Sequence, residues 1–164
     1  MHLKSAEIED LPHIANLFLR CWTISYASVL SESARATFDF DSAQELWRTS
    51  IETPGDKQTL LVLEGEDVVA VFRVGSDKDE PTRGHLFSLY VDPDFAGRGY
   101  GKFALLESIK RNKDAGFTAM TLWVFAENER ANSLYLKNGF SATGKSRVTP
   151  EWGAVEIELI ADIS

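Results

Sequence analysis

The sequence predicts an α+β fold, a mixed sheet of about seven strands flanked by about four helices, on three observations. Apolar residues recur at helical spacing in four stretches, and as strand-like runs or alternation in seven. Three of the strand patterns follow one another with no helix between them, which a doubly wound parallel sheet does not allow. No repeat, linker or composition shift divides the 164 residues, so a single domain, 1–164, is expected.

Residues 2–7 fit a first strand. Asp10 is positioned to cap a helix whose Leu11, Ile14, Ala15, Phe18, Cys21 and Trp22 share one face. Pro12 falls in its first turn, where a missing N–H is harmless. Residues 29–40 carry no clear period, and Ala43, Leu46, Trp47 and Ile51 then mark a second helix stopped by "TPGD". "TLLVLEGEDVVAVFRV", 59–74, reads as a hairpin about Gly65. A polar loop, "SDKDEPTRG", leads to the strand "HLFSLYV", 85–91, and a glycine segment opens a helix over 99–115. "FTAMTLWVF" is the next strand, and residues 129–138 form a short helix with Ala131, Leu134 and Tyr135 on one face. "GFSATGKSRV" and the alternating "GAVEIELIA" close the chain as strands.

Acidic residues outnumber basic ones 25 to 17, a net charge of -8, and no basic stripe suited to nucleic acid is present. The single cysteine, Cys21, excludes an internal disulfide and a cysteine-based zinc cluster, and no metal site is expected. Its apolar neighbours read it as a packing residue rather than a nucleophile. No apolar run is long enough to span a bilayer, and "MHLKSAEIED" lacks a signal-peptide core, so a cytoplasmic protein without membrane contact is expected.

The segment "DFAGRGYGKF", 94–103, carries the first chemical signal. It is not a Walker loop, because Phe103 follows Gly101-Lys102 and Ala96 stands where the first glycine belongs. It is not the dinucleotide fingerprint either, since Gly97, Gly99 and Gly101 are spaced G-x-G-x-G. Two readings remain: a surface turn, or a pyrophosphate cradle of backbone N–H groups at a helix N-terminus, with Arg98 and Lys102 as outer contacts.

A second motif, "LWVFAENERANSLYLKNGF", 122–140, follows "LYVDPDFAGRGYGKFALL" in the chain. Together they resemble the GNAT superfamily of acyl-CoA-dependent N-acyltransferases, and "IANLFLRCWTISYASVLS" is similar to the opening of many bacterial members. The resemblance implies a mostly antiparallel sheet with splayed central strands and acetyl-CoA as acyl donor. It implies that the amides of Gly97, Arg98, Gly99, Tyr100, Gly101 and Lys102 hold the CoA pyrophosphate, and that the backbone of Leu89, Tyr90 and Val91 bonds pantetheine. Asn128 matches the family asparagine at the cofactor, and Tyr135 the tyrosine beside the thioester sulfur. Homodimers are common in the superfamily.

Two positions depart from the family pattern: Ala96 replaces a Gln or Arg of the loop, and His85 stands where many relatives carry a glutamate base. An alkylamine of pKa near 10.4 is neutral in only about one molecule in 2,500 at pH 7, so a group or a water chain must take its proton. Imidazole titrates near 6.5, which makes His85 the candidate base, with an acidic limb expected at roughly pH 6–7. Tyr135 is the candidate donor to the leaving thiolate, a phenol near pKa 10 facing a thiol near 8.5. Trp22, Tyr26, Trp123, Phe125 and Trp152 are candidates for an acceptor wall, which beside Glu127 or Glu151 would suit a cationic amine. The expected activity is N-acetylation of a primary amine on a small molecule or peptide; the alternative, raised by the missing carboxylate, is a non-catalytic acyl-CoA-binding module.

Overall fold

The computed structural model describes residues 1–164. Seven strands form one sheet: β1 His2–Ser5, β2 Gln58–Glu64, β3 Asp67–Ser76, β4 Gly84–Val91, β5 Ala119–Phe125, β6 Ser141–Val148 and β7 Val155–Asp162. Their order across the sheet is β1-β2-β3-β4-β5-β7-β6, and every neighbouring pair is antiparallel except β4 and β5. Five helices accompany them: α1 Leu11–Arg20, α2 Glu32–Arg35, α3 Phe40–Glu52, α4 Tyr100–Asp114 and α5 Glu129–Lys137. The expected α+β architecture is therefore observed, with the one-turn α2 added in the stretch that showed no period.

Two cores sandwich the sheet. On one face α4, through Leu105, and α5 cover Phe72, Met120 and Leu122; on the other α1 and α3, the latter through Trp47, cover Leu61, Val71 and Phe125. Burial of each such side chain contributes about 1.5–3 kcal/mol, which holds both layers against the sheet. Asp10 does not cap α1 through its side chain. Its carboxylate accepts instead from Lys4 Nζ at 2.9 Å and from the Glu7 amide at 2.8 Å, closing the turn before the helix. After Arg20 the helix widens into one π turn over Cys21–Ser25, in which the Tyr26 amide donates to the Cys21 carbonyl five residues back, at 3.1 Å.

The sheet is interrupted at its centre. β4 and β5 pair only from Gly84–Leu86 to Met120–Leu122. At that point Arg73 opposes Ser88 and Val74 opposes Leu86, leaving Phe87 as an extra, bulged residue of β4. A bulge bends its strand and increases the local twist, so β4 follows β3 away while β5 stays with β7. The facing edges beyond Phe87 and Trp123 are left without a partner strand.

The paired end of this junction is closely packed. A Cβ on Gly84 would lie 2.6 Å from Cγ of Asn112, itself a buried residue of α4. Gly84→Ala should lower the unfolding free energy by about 1–3 kcal/mol, the range for overpacking a core. Urea unfolding with an unchanged midpoint would show that α4 yields without cost.

Candidate active site

Two cavities meet where β4 and β5 part. The larger, about 1260 Å³, runs from the glycine loop to the strand gap and is lined by Gly97, Gly99, Gly101, Lys102, Leu89 and Tyr90, among others. Gly97 and Gly99 adopt φ of 79° and 90°, the left-handed region that glycine occupies without strain. Gly99 is the residue before α4, whose first intrahelical amide bond is Phe103 to Gly99. The Tyr100, Gly101 and Lys102 amides therefore have no carbonyl within the helix and stand at its positive end.

The side chains of this loop are distributed differently from their amides. Arg98 lies over the ring of Phe95 at 5.2 Å, and Tyr100 turns into the core against the same ring. Neither side chain lines the cavity, so these two positions offer only backbone. The sequence reading missed Arg130, from the first turn of α5, which lines the cavity and reaches within 3.0 Å of where a Gly97 Cβ would stand. It supplies a guanidinium beside the loop that Ala96 cannot. Free amides, left-handed glycines, an unpaired strand edge and Arg130 together fit an acyl-CoA, pyrophosphate at the loop and pantetheine in the gap.

The smaller cavity, about 340 Å³, lies on the other side of the gap. Trp22, Tyr26, Trp123, Phe125 and Trp152, the five aromatic residues expected at an acceptor wall, all line it. Four of them interlock edge to face, with Trp22 and Trp152 at 5.2 Å and Tyr26 and Phe125 at 5.2 Å, while Trp123 packs against Arg147 instead. The π turn brings Trp22 and Tyr26 to this wall from one short segment. The cavity's carboxylates are Asp77, Asp79 and Glu156, whereas Glu127 lines the larger cavity and Glu151 lines neither. Arg147 holds Glu156 through two contacts of 3.3 and 3.4 Å and stacks 4.2 Å from the Trp123 ring centre.

Tyr26, Leu89, Tyr90, Asn128, Ala131 and Tyr135 line both cavities and so form the passage between them. Asn128 caps α5, its side chain accepting from the Ala131 amide at 3.2 Å. Tyr135 is buried, and burial followed by the neighbouring Tyr90 pushes its hydroxyl well above the ordinary phenol value. It stays protonated at neutral pH, but it is a weaker acid than the free phenol assumed from sequence. Cys21 is buried too, its thiol raised to about 12 by desolvation and directed to the Val91 carbonyl at 3.1 Å.

His85 lines the smaller cavity, in a network that the sequence did not reveal. Its Nδ1 lies 2.7 Å from Thr121 Oγ1, which lies 2.8 Å from Asp77 Oδ2. Burial alone would raise the Asp77 carboxyl, but the Asp79 amide, the Thr121 hydroxyl and Arg83 overcome it and hold it at about 2. As a carboxylate, Asp77 only accepts, so Thr121 donates its one proton to it. The Thr121 oxygen must then accept from Nδ1–H of His85, which leaves the lone pair on Nε2. Burial lowers the His85 pKa below 6.5, opposed by Asp77 and Glu158 and reinforced by Arg83 and Arg147. The acidic limb expected near pH 6–7 is thereby moved below 6.5. Arg83 closes the network, contacting Asp77 at 2.9 Å, Glu80 at 3.0 Å and Glu158 at 3.4 Å.

The model of the acetyltransferase (GNAT) family matches residues 11–140. The chain is 25% identical over 146 residues to the spermidine N(1)-acetyltransferase of Thermoplasma acidophilum, covering 85% of this chain and 88% of that one. It is 39% identical over 66 residues to a mycothiol acetyltransferase of Propionibacterium freudenreichii, spanning 40% of this chain but only 21% of that relative. Among solved structures, the PaiA N-acetyltransferase of Thermoplasma acidophilum in complex with coenzyme A superposes with a TM-score of 0.79 at 20% identity, covering 98% of each chain.

The depressed Asp77 carboxyl carries a stability consequence. Its folded value lies below the ordinary 3.8, so its contribution is complete above pH 3.8 and is lost as pH falls through about 2. Asp77→Asn should cost about 2 kcal/mol at pH 7 and flatten the loss of stability below pH 4. Denaturant unfolding across that range checks both, and an unchanged acid limb in the variant would remove Asp77 from this role.

Proposed function

The chain belongs to the acetyltransferase (GNAT) family, an acetyl-CoA-dependent N-acetyltransferase by that membership, and we propose that its acceptor is the primary amine of a small molecule or peptide seated in the aromatic cavity. The observation that carries this reading is the meeting of the two cavities at Tyr135. The spermidine relative acts on an amine of this class, which supports the same class here. We read residues 1–164 as one working domain, because a single sheet runs from His2 to Asp162. A cytoplasmic location and a homodimer remain expectations of the same reading; no helix is long and apolar enough to cross a membrane.

Bound acetyl-CoA supplies an acetyl thioester, a good acceptor of a neutral amine. In this reading the amides from Gly97 to Lys102, with Arg130 beside them, hold the pyrophosphate end, and the backbone of Leu89 to Val91 aligns the pantetheine arm. Asn128 keeps α5, and with it Tyr135, at the passage. His85 takes the ammonium proton at Nε2, directly or through one water, and Thr121 and Asp77 position the ring for it. The Tyr135 hydroxyl, protonated at all working pH values, donates toward the departing sulfur. The five aromatic residues and Glu156 hold the cationic acceptor before it is deprotonated.

Free-thiol release from acetyl-CoA across polyamines, amino acids, aminoglycosides and peptide amines tests the function. Thermal protection by acetyl-CoA with no thiol released from any amine would favour the non-catalytic binding module instead. Gly99→Asp should abolish CoA binding in calorimetry. Open space surrounds the position, so the loss would come from a carboxylate facing phosphate and from strain at φ 90°. Unchanged affinity would exclude the cradle. For the base, kcat/KM should fall on the acidic side with an apparent pKa below 6.5. His85→Gln should lose activity together with that limb, and a variant that keeps the limb would exclude His85.

A further inference from the structure

The arginines of this acidic chain are engaged in a pattern with one exception that the acyl-transfer site does not explain. Arg20, Arg48, Arg83 and Arg147 each hold at least one carboxylate. Arg35 and Arg111 donate to neutral oxygens, a backbone carbonyl and the Gln58 amide. Arg98 and Arg130 have no acidic partner, and both stand at the glycine loop, where a pyrophosphate is expected. Arg73 is the remaining arginine, and it lies on the opposite face of the sheet.

Arg73 projects from the middle of β3 opposite Ser88, into a cavity of about 230 Å³ between the sheet and α3. Its Nε is buried without any hydrogen-bond acceptor, although acidic residues outnumber basic ones in the chain. Burial lowers the pKa of its guanidinium, and no carboxylate forms an ion pair with it. Lys57 adds a second cation, its ammonium 5.2 Å from the Phe87 ring and 3.5 Å from Asp56. Ser50 and Ser88 bring hydroxyls, and Trp47 and Tyr90 wall the space. Phe87, Ser88 and Tyr90 also line the acceptor cavity, so the two cavities adjoin across the bulged part of β4.

A half-buried guanidinium whose Nε has no acceptor is costly to keep, and its planar fork suits a carboxylate bidentately. We propose that the cavity over Arg73 binds a carboxylate, and that this carboxylate is the acidic end of the acceptor whose amine enters the neighbouring aromatic cavity. The proposal rests on the reading of that cavity as the acceptor site. It narrows the substrate class to amines that also carry an acid group, such as amino acids or peptides with a free carboxylate.

The test compares ω-amino acids, from 3-aminopropanoate to 6-aminohexanoate, with the n-alkylamines of matching chain length in the thiol-release assay. Wild-type enzyme should favour at least one amino acid over its alkylamine, through KM. Arg73→Met should lower that preference by about 10- to 100-fold, as expected for losing a charge-assisted hydrogen bond, and Arg73→Lys should lose less. Glutarate, which has no amine to acetylate, should raise the thermal midpoint of the wild type but not of Arg73→Met. The midpoint of ligand-free Arg73→Met should equal or exceed the wild-type value, since an unpaired charge leaves a desolvated site; a merely structural arginine would lower it. If no amine is turned over, the glutarate shift still decides the carboxylate site apart from the acetyltransferase reading. Absence of that shift in the wild type overturns the site, and an Arg73-dependent shift with no amino-acid preference overturns its link to the acceptor.

Discussion

Everything else in this molecule is arranged around a break in its own hydrogen bonding. A seven-stranded sheet is held by its ladders, yet β4 and β5 stop pairing after Leu86 and Leu122, at its middle. Backbone groups without partners in a protein interior are unstable unless water or a ligand reaches them. The gap is tolerated because β3 and β7 hold the two strands firmly from outside, along Ala70–Ser76 and Glu156–Asp162. The bulge at Phe87 provides the bend, and the open strand edge becomes a surface to which an extended amide-bearing chain can bond. The two cavities, which we propose seat donor and acceptor, are the two mouths of this one opening.

The elements that could be read from the sequence are those whose information is local. Glycines at 97, 99 and 101 where a helix begins, and Asn128 followed by Ala131, Leu134 and Tyr135, carry their geometry within a few residues, and the folded chain brings them to one cleft. The aromatic wall was legible as residue types and completed only by folding, since Trp22, Phe125 and Trp152 come from three distant segments. The charged network was not legible. Asp77 and Arg83 lie in a loop that reads as ordinary polar surface, and Thr121 is one hydroxyl in an apolar strand. Their relation to His85 depends on a parallel register, His85 beside Thr121, that no sequence spacing encodes.

The alternation of "VEIELI" misleads for a physical reason. Period two says only that successive side chains point to opposite faces, and the acidic set is conventionally assigned to water. Here the glutamates at 156 and 158 sit opposite Phe125 and Trp123 on the face that carries the smaller cavity, and both are buried. Arginines from β6 and from the loop after β3 supply their counter-charges. Such a buried polar set contributes little net stability compared with apolar packing of the same volume. Its presence marks a surface arranged for a polar guest.

The π turn over Cys21–Ser25 has a consequence for how such a site can diverge. It amounts to one residue more than a regular helix would use, and the placing of Trp22 within it and Tyr26 just after it depends on that surplus. Deleting one residue between 21 and 25 would restore regular spacing and rotate the residues directly after the turn by about 100° about the helix axis. Tyr26 would leave the passage while the glycine loop stayed as it is. If the smaller cavity seats the acceptor as proposed, a single codon gained or lost at this turn would reshape its wall and leave the glycine loop in place.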